Sequence, residues 1–311
     1  MLWFVFGLLF ALFGAATTAV NQRFRVDGYA IAAWRGFGIS ASSLPFLFFV
    51  DFPSDPSFWA HACVQGLMAG FFSSRMANSA AKFGAGATSR IMVLSIIISA
   101  VIWWGMDFSQ FLALAEKPAI FAGVLASLFF GIYGYLKMSD HSRSEGIFGY
   151  MIIAVFVSAM MSVNRKNLMA FDGFLAGNTA YFLVSMFVAG CFNVCAFMLM
   201  RGGGLPNFAK TAFSPRVARA GLYMALFSGL SIFCGNRALS TVPNPAYVNA
   251  LTLTAPLWVL AYNRATGYRN NFNPAGMAIM LAATACLIFF GDAEFMAEGL
   301  ENIKDIFRWP G

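Results

Sequence analysis

The chain has 311 residues, of which 59% are hydrophobic and 11% are charged, and its mean hydropathy is +0.70. A soluble domain devotes about a quarter of its residues to charge, so this composition excludes an ordinary water-soluble globular protein. The net charge of +7 arises without a run of five Lys or Arg, and we interpret it as basic loops at one membrane surface, not as a nucleic-acid-binding surface.

Apolar segments long enough to cross a bilayer follow one another along the chain. A helix needs about 20 apolar residues to cross, because it rises about 1.5 Å per residue through a hydrocarbon core of about 30 Å. The sequence therefore predicts an all-α membrane protein with ten transmembrane helices. The first helix lacks the positively charged start of a secretory signal peptide, so we expect that it is not cleaved off. The predicted spans are residues 2–20, 29–50, 58–76, 88–106, 118–137, 147–163, 177–200, 219–236, 245–263 and 272–290.

The segment after the last span differs in character. Residues 292–311 are acidic and carry Phe295, Leu300, Ile303 and Phe307 at helical spacing. This pattern predicts a short amphipathic helix that lies on the membrane interface.

Two parts of the chain repeat each other in the same order. Residues 78–101 match residues 236–259, with Asn78 opposite Asn236. Shorter matches pair residues 19–21 with 162–164, 33–34 with 180–181, and 122–123 with 275–276. A repeat of five helices must cross the membrane in the opposite sense the second time, which predicts two inverted five-helix repeats around a substrate path. The predicted units are 1–140, 141–291 and the tail 292–311.

Three motifs carry a family resemblance. Ala32-Ala33-Trp34-Arg35-Gly36-Phe37 opens the second span, and Asn78-Ser-Ala-Ala follows the third. Asn236-Arg-Ala-Leu-Ser-Thr-Val-Pro-Asn-Pro-Ala-Tyr247, followed by Leu251-Thr-Leu-Thr-Ala-Pro256, joins the eighth and ninth spans. With these motifs the chain resembles the ten-helix EamA-like members of the drug/metabolite transporter superfamily over nearly its whole length. One departure is Ser95-Ile-Ile-Ile-Ser99, where members of that family often have a proline.

The resemblance implies that helices one to four and six to nine enclose a central cavity, with helices five and ten at the periphery. It also implies alternating access by rocking of the two halves, and both termini in the cytoplasm. The distribution of charge predicts the opposite orientation. Odd-numbered loops hold thirteen Lys or Arg, whereas even-numbered loops and the tail hold six, including Arg165 and Lys166.

One cation lies several residues inside a predicted span. Inserting an arginine near the centre of a transmembrane helix costs about 2.5–3.5 kcal/mol unless the side chain faces water or a partner, and this applies to Arg35. It either snorkels to the interface or offers its donors to a carboxylate or phosphate of a substrate. Trp34 beside it is a candidate stacking surface, and Tyr181 is the counterpart of Trp34 in the repeat. Arg90 and Arg237 are either further anion-binding candidates or positive-inside residues.

Amide side chains within spans must find hydrogen-bond partners. Asn164 and Asn193 are predicted to join helices, whereas Asn78 and Asn236 either join helices or line the cavity. Small residues four apart are predicted to allow close helix packing: Gly66 with Gly70, Ser95 with Ser99, and Ser158 with Ser162.

Two further candidates lie at the start of the ninth span. Tyr247 and Asn249 follow Pro245 in the first helical turn, where free backbone N–H groups favour an anion. Both are therefore predicted to contact substrate.

None of the thirteen Asp and Glu falls inside a predicted span. An intramembrane acid is the usual device for binding protons or lipophilic cations, so the sequence disfavours a carboxylate-driven cation antiporter. The spans also lack a nucleophile with a base, or a set of metal ligands. No catalytic residue, metal or cofactor is predicted, and the five cysteines are interpreted as packing residues.

The sequence thus predicts a secondary carrier for a small organic solute, such as an amino acid or a related zwitterionic or anionic metabolite, in the inner (plasma) membrane. The expected partners are membrane lipids and the small-molecule substrate, not nucleic acid, and the protein is expected to be a monomer or a homodimer. There are three alternatives: an exporter of drugs or cationic metabolites, an intramembrane enzyme, and a non-transporting scaffold.

Overall fold

The computed structural model describes residues 2–84, 87–88, 91–92, 94–138, 146–171, 173–242, 244–267 and 273–291. Within these ranges the chain forms α-helices and short 3-10 turns, and no strand. The predicted interfacial helix over 292–311 and the candidate Arg90 lie outside the described residues.

The helices follow one another with short connections. They are α1 (Leu2–Phe24), α2 (Gly28–Ser43), α3 (Pro56–Phe83), α4 (Leu94–Met106), α5 (Phe108–Ala115), α6 (Pro118–Met138), α7 (Ile147–Leu168), α8 (Phe174–Arg201), α9 (Gly204–Ala212), α10 (Pro215–Thr241), α11 (Pro245–Leu251), α12 (Ala255–Ala265) and α13 (Pro274–Gly291). The 3-10 turns are Leu44–Phe48 after α2 and Thr252–Thr254 between α11 and α12.

Four of these helices, α1, α7, α8 and α10, are long and apolar enough to cross a membrane. Helices α4 and α5 together form a fifth candidate, bent by 103° at the break between them, and α6 and α13 contain shorter apolar stretches. Length and composition thus describe an α-helical, multi-pass membrane protein.

Every predicted span overlaps a helix, and within the described residues two of the spans contain a 3-10 turn. The predicted span 29–50 leaves α-helical geometry after Ser43, and Pro45 lies at the start of the 3-10 turn that follows. The span 245–263 breaks at Thr252–Thr254, where Pro256 has no backbone N–H to donate to the preceding turn. The short helices α5 and α9 were not predicted from the sequence.

Acidic residues in the described ranges lie at helix ends or in a loop. Asp27, Asp55 and Asp107 accept backbone N–H groups at the first turns of α2, α3 and α5. Helix starts carry unpaired N–H donors, so these carboxylates stabilise the positions at which the helices begin.

Helix α8 packs against both α2 and α3, and α2 also packs against α10. The crossing of α2 and α8 is a contact between backbones. A Cβ atom on Gly36 would lie 2.6 Å from both the backbone nitrogen of Gly190 and the carbonyl oxygen of Met186. Glycine is therefore required at this crossing, as small residues are at close helix contacts in lipid.

Candidate functional site

A cavity of about 190 Å³ lies among the helices. Its walls come from α1, α2, α3, α4, α7, α8, α10, α11 and α12, and none of the described residues of α6 or α13 lines it. One water requires about 10–15 Å³ of such volume, so the cavity has room for about a dozen waters or a small organic solute.

Hydroxyl and amide groups supply most of the polar lining. Apart from two arginines and a tyrosine, the polar residues are Thr17, Thr18, Asn21, Ser73, Ser95, Ser158, Ser162, Ser228, Ser231, Asn249 and Thr252. Several hydroxyls donate to carbonyl groups of nearby helix backbone. Thr17 Oγ1 donates to Gly14 O at 2.7 Å, and Ser231 Oγ donates to Phe10 O at 2.9 Å. These groups make the wall polar without adding charge.

Charge in the cavity comes from two arginines, and the lining residues that the structure describes include no Asp or Glu. Arg35 lies at the middle of α2, and Arg165 lies three residues before the end of α7. The Arg165 side chain is buried, with its guanidinium carbon 5.5 Å from the centre of the Phe10 ring. Its Nε has no hydrogen-bond partner within the described part of the chain.

Tyr181 on α8 lies close to both arginines, and it is almost fully buried. Tyr181, Arg35 and Arg165 line the same cavity. A phenol hydroxyl and two guanidiniums all offer hydrogen-bond donors, so this part of the cavity suits an anion.

Asn249 lines the cavity and joins three helices. Its Oδ1 accepts from Ser162 Oγ of α7 at 3.0 Å, and its Nδ2 donates to Ser99 Oγ of α4 at 3.1 Å. All three residues are buried, so each hydrogen bond replaces one that water would otherwise make. Asn249 therefore fixes α11 against the cavity wall.

The structure brings three of the predicted site residues, Arg35, Tyr181 and Asn249, to one cavity. Trp34, adjacent to Arg35, lies elsewhere. Its Nε1 donates to Ala212 O at 2.9 Å, and its ring packs edge-on against Phe213. Consecutive residues of a helix point about 100° apart, so Trp34 packs against the end of α9 and Phe213 while Arg35 lines the cavity.

Three further candidates lie outside the cavity. Asn236 is fully buried and donates to Asn178 Oδ1 at 2.8 Å, which joins α10 to α8. Asn78 lies against Gly28, where an added Cβ would be 2.4 Å from Asn78 Oδ1. Tyr247 belongs to the apolar cluster that α11 forms with α1 and α10.

The amides expected to join helices do so. Asn164 Nδ2 of α7 donates to Gln65 Oε1 of α3 at 2.8 Å, and Asn193 Nδ2 of α8 donates to Gly70 O of α3 at 3.2 Å. Both contacts hold α3 against helices of the second half of the chain.

Sequence reasoning missed Arg165, which it counted as a loop residue, and Ser95, Ser158 and Ser162, which it interpreted as packing residues. One signal was available. Ser158, Ser162 and Arg165 are spaced by four and three residues, which places them on one face of α7. A polar stripe that ends in a cation, on a helix that is largely apolar up to Val163, indicates a face turned away from lipid.

The cavity thus combines a polar but neutral wall with two guanidiniums and a buried phenol. Such a set can bind an anion through charge-assisted hydrogen bonds. No protein-family model matches this chain, and no curated protein matches it.

Proposed function

We propose that the protein is a secondary carrier that moves a small organic solute, an amino acid or a related zwitterionic or anionic metabolite, across its membrane by alternating access. The observation that carries the proposal is the cavity with Arg35 and Arg165, enclosed by apolar helices. Ionisable residues inside a membrane are costly and mark substrate pathways, because a purely structural role rarely offsets that cost.

We also propose that ten spans form two inverted repeats. The first repeat would consist of α1, α2, α3, α4 with α5, and α6. The second would consist of α7, α8, α10, α11 with α12, and α13. The packing supports this pairing. The first helix of each proposed repeat packs against the third helix of the other: α1 against α10, and α7 against α3. The third helix of each repeat packs against the second helix of the other: α3 against α8, and α10 against α2. The two last helices, α6 and α13, pack against each other. Exchange of the two halves therefore preserves the pattern of neighbours.

An inverted pair with a central site suits alternating access, since each half can rock about the solute. The cavity lies where the proposed halves meet, with Arg35 in the first and Arg165 in the second. A drug or cation exporter is less well supported, because the described lining carries positive charge and no acid.

Uptake into proteoliposomes tests the carrier proposal. The purified protein is expected to exchange a radiolabelled anion or amino acid against the same unlabelled solute inside the vesicle, at a rate that saturates with concentration. Protein-free vesicles and vesicles with heat-denatured protein are the controls. If no solute from a panel of amino acids, carboxylates and phosphate esters exchanges faster than in the controls, the proposal is wrong.

An ion pair links the two proposed halves at one end of the bundle. Arg201 Nη2 at the end of α8 lies 2.9 Å from Asp27 Oδ2 at the start of α2. Opening of this end would separate the two residues. The Arg201 side chain is 55% exposed, so the pair contributes at most about 1 kcal/mol, which corresponds to a factor of about five.

We expect Asp27→Asn and Arg201→Gln to change the maximal uptake rate by the same factor, up to about fivefold, because each removes the same contact. Asn also caps helices well, so the Asp27 variant keeps the start of α2 intact. The double variant is expected to match either single variant. Additive effects would show that the two residues act separately.

A further inference from the structure

The charge of the cavity wall is unbalanced. Arg35 and Arg165 both line it, and the described lining residues contain no carboxylate. Removing a cation from water is costly unless an opposite charge accompanies it. The five acidic residues in the described ranges lie at helix ends or in a loop, and the ion pair found there joins Asp27 to Arg201.

Arg165 shows the imbalance most directly. The residue is only 6% exposed, and its Nε lacks a hydrogen-bond partner in the described part of the chain. The Phe10 ring, with its centre 5.5 Å from the guanidinium carbon, stabilises positive charge but accepts no conventional hydrogen bond from the fork of donors. Within the described part of the chain, no carboxylate or hydrogen-bond acceptor thus neutralises the charge that Arg165 brings to the cavity wall.

Arg35 enters the same cavity from another helix, so two like charges share one small wall and repel each other. Tyr181 lies within electrostatic reach of both. An anionic group between these side chains would remove the repulsion and accept donors from all three. A single negative charge would still leave one cation unbalanced.

We propose that the substrate of this cavity is a dianion, a small molecule with two negative charges such as a dicarboxylate or a phosphate monoester, held by Arg35 and Arg165 together. The inference rests on the carrier function proposed above and narrows its substrate class. A zwitterionic amino acid fits less well, because its ammonium group would enter a site that already holds two cations. The neutral hydroxyl groups of the wall suit the uncharged part of the ligand.

Binding to the detergent-solubilised protein tests the inference without transport. Succinate and butyrate have the same number of carbons but differ by one carboxylate, and glycerol 3-phosphate tests the phosphate monoester. We expect one of the two dianions to bind about 10- to 100-fold more tightly than butyrate, since each extra charge-assisted hydrogen bond contributes on that scale. Equal affinities for both dianions and butyrate would overturn the inference.

Variants identify the groups responsible. Arg35→Gln and Arg165→Gln are each expected to reduce the preference for the dianion to about that of a monoanion. Arg165→Lys, which keeps the charge but loses the fork, is expected to retain part of it. Arg216→Gln is the matched control, because Arg216 is exposed and does not line the cavity. An unchanged preference in folded Arg165→Gln protein would contradict the assignment.

If the cavity variants fail to fold, the pH dependence of the wild-type protein is a second measurement. The second pKa of a phosphate monoester is about 6, so glycerol 3-phosphate becomes a monoanion at lower pH. The described lining contains neither His nor a carboxylate to titrate there, so binding of this ligand should weaken below pH 6 while butyrate binding changes little. The same pH dependence for both ligands would count against a dianion site.

Binding and uptake together separate the two proposals. Dianion preference in binding without uptake of any solute would contradict the carrier function and leave the dianion site standing. Uptake of monoanions or amino acids with no preference for dianions would contradict the dianion inference and leave the carrier function standing.

Discussion

Arg165→Gln is expected to lower the initial rate of solute uptake into proteoliposomes by about 10- to 100-fold. Gln keeps much of the length of the side chain but removes the charge, and hydrogen bonds to charged groups contribute about 1.5–3 kcal/mol each. Arg165 is buried in the cavity wall, and a water molecule that took the place of its guanidinium would carry no positive charge. We expect Arg35→Gln to have an effect of similar size.

The double variant distinguishes joint from separate action. If both guanidiniums hold one substrate, Arg35→Gln with Arg165→Gln should reduce uptake by less than the product of the two single effects, because the second loss occurs in a site that is already impaired. Arg216→Gln should leave uptake unchanged, and each variant should elute as wild-type protein does in gel filtration. Wild-type uptake by folded Arg165→Gln protein would remove Arg165 from the site.

Gly36→Ala is expected to prevent or severely reduce the recovery of folded protein. The added methyl group would lie 2.6 Å from backbone atoms of Met186 and Gly190, and a backbone cannot rotate away as a side chain can. Overpacking of this kind costs about 1–3 kcal/mol, and more where neither helix can shift. The measurement is the temperature at which detergent-solubilised protein loses its monodisperse gel-filtration peak.

Gly149→Ala is the matched control for that substitution. Gly149 is also helical, but nothing lies within 4 Å of where its Cβ would be. Ala is the better helix former by about 1 kcal/mol, so this variant should be as stable as wild-type protein or more so. Equal stability of Gly36→Ala and Gly149→Ala would show that α2 and α8 do not meet as closely as described.

The lipid solvent explains why the helices could be predicted. Backbone groups in hydrocarbon must pair within the segment, so each apolar stretch of sufficient length becomes helical. The predicted span 245–263 was continuous, whereas the helix breaks at the 3-10 turn Thr252–Thr254 just before Pro256. Helices α5 and α9 escaped prediction because, at 8 and 9 residues, they are too short to cross the membrane.

The site was harder to predict, because composition does not reveal how a helix is rotated about its axis. Trp34 and Arg35 are neighbours in sequence, yet only Arg35 lines the cavity. Arg165 was assigned to a loop because the predicted span ended at residue 163, whereas α7 continues to Leu168. Rotation and the last turn of a helix depend on contacts with other helices, which one sequence does not display.

The unbalanced cations of the cavity also bear on the electrical insulation of the membrane. Water that fills a cavity open to one side could bring protons or sodium ions deep into the bilayer. Fixed positive charge along a narrow aqueous path raises an electrostatic barrier to such ions. For a carrier of the proposed kind, we therefore expect Arg35 and Arg165 to keep protons and sodium ions out of the cavity while solute crosses.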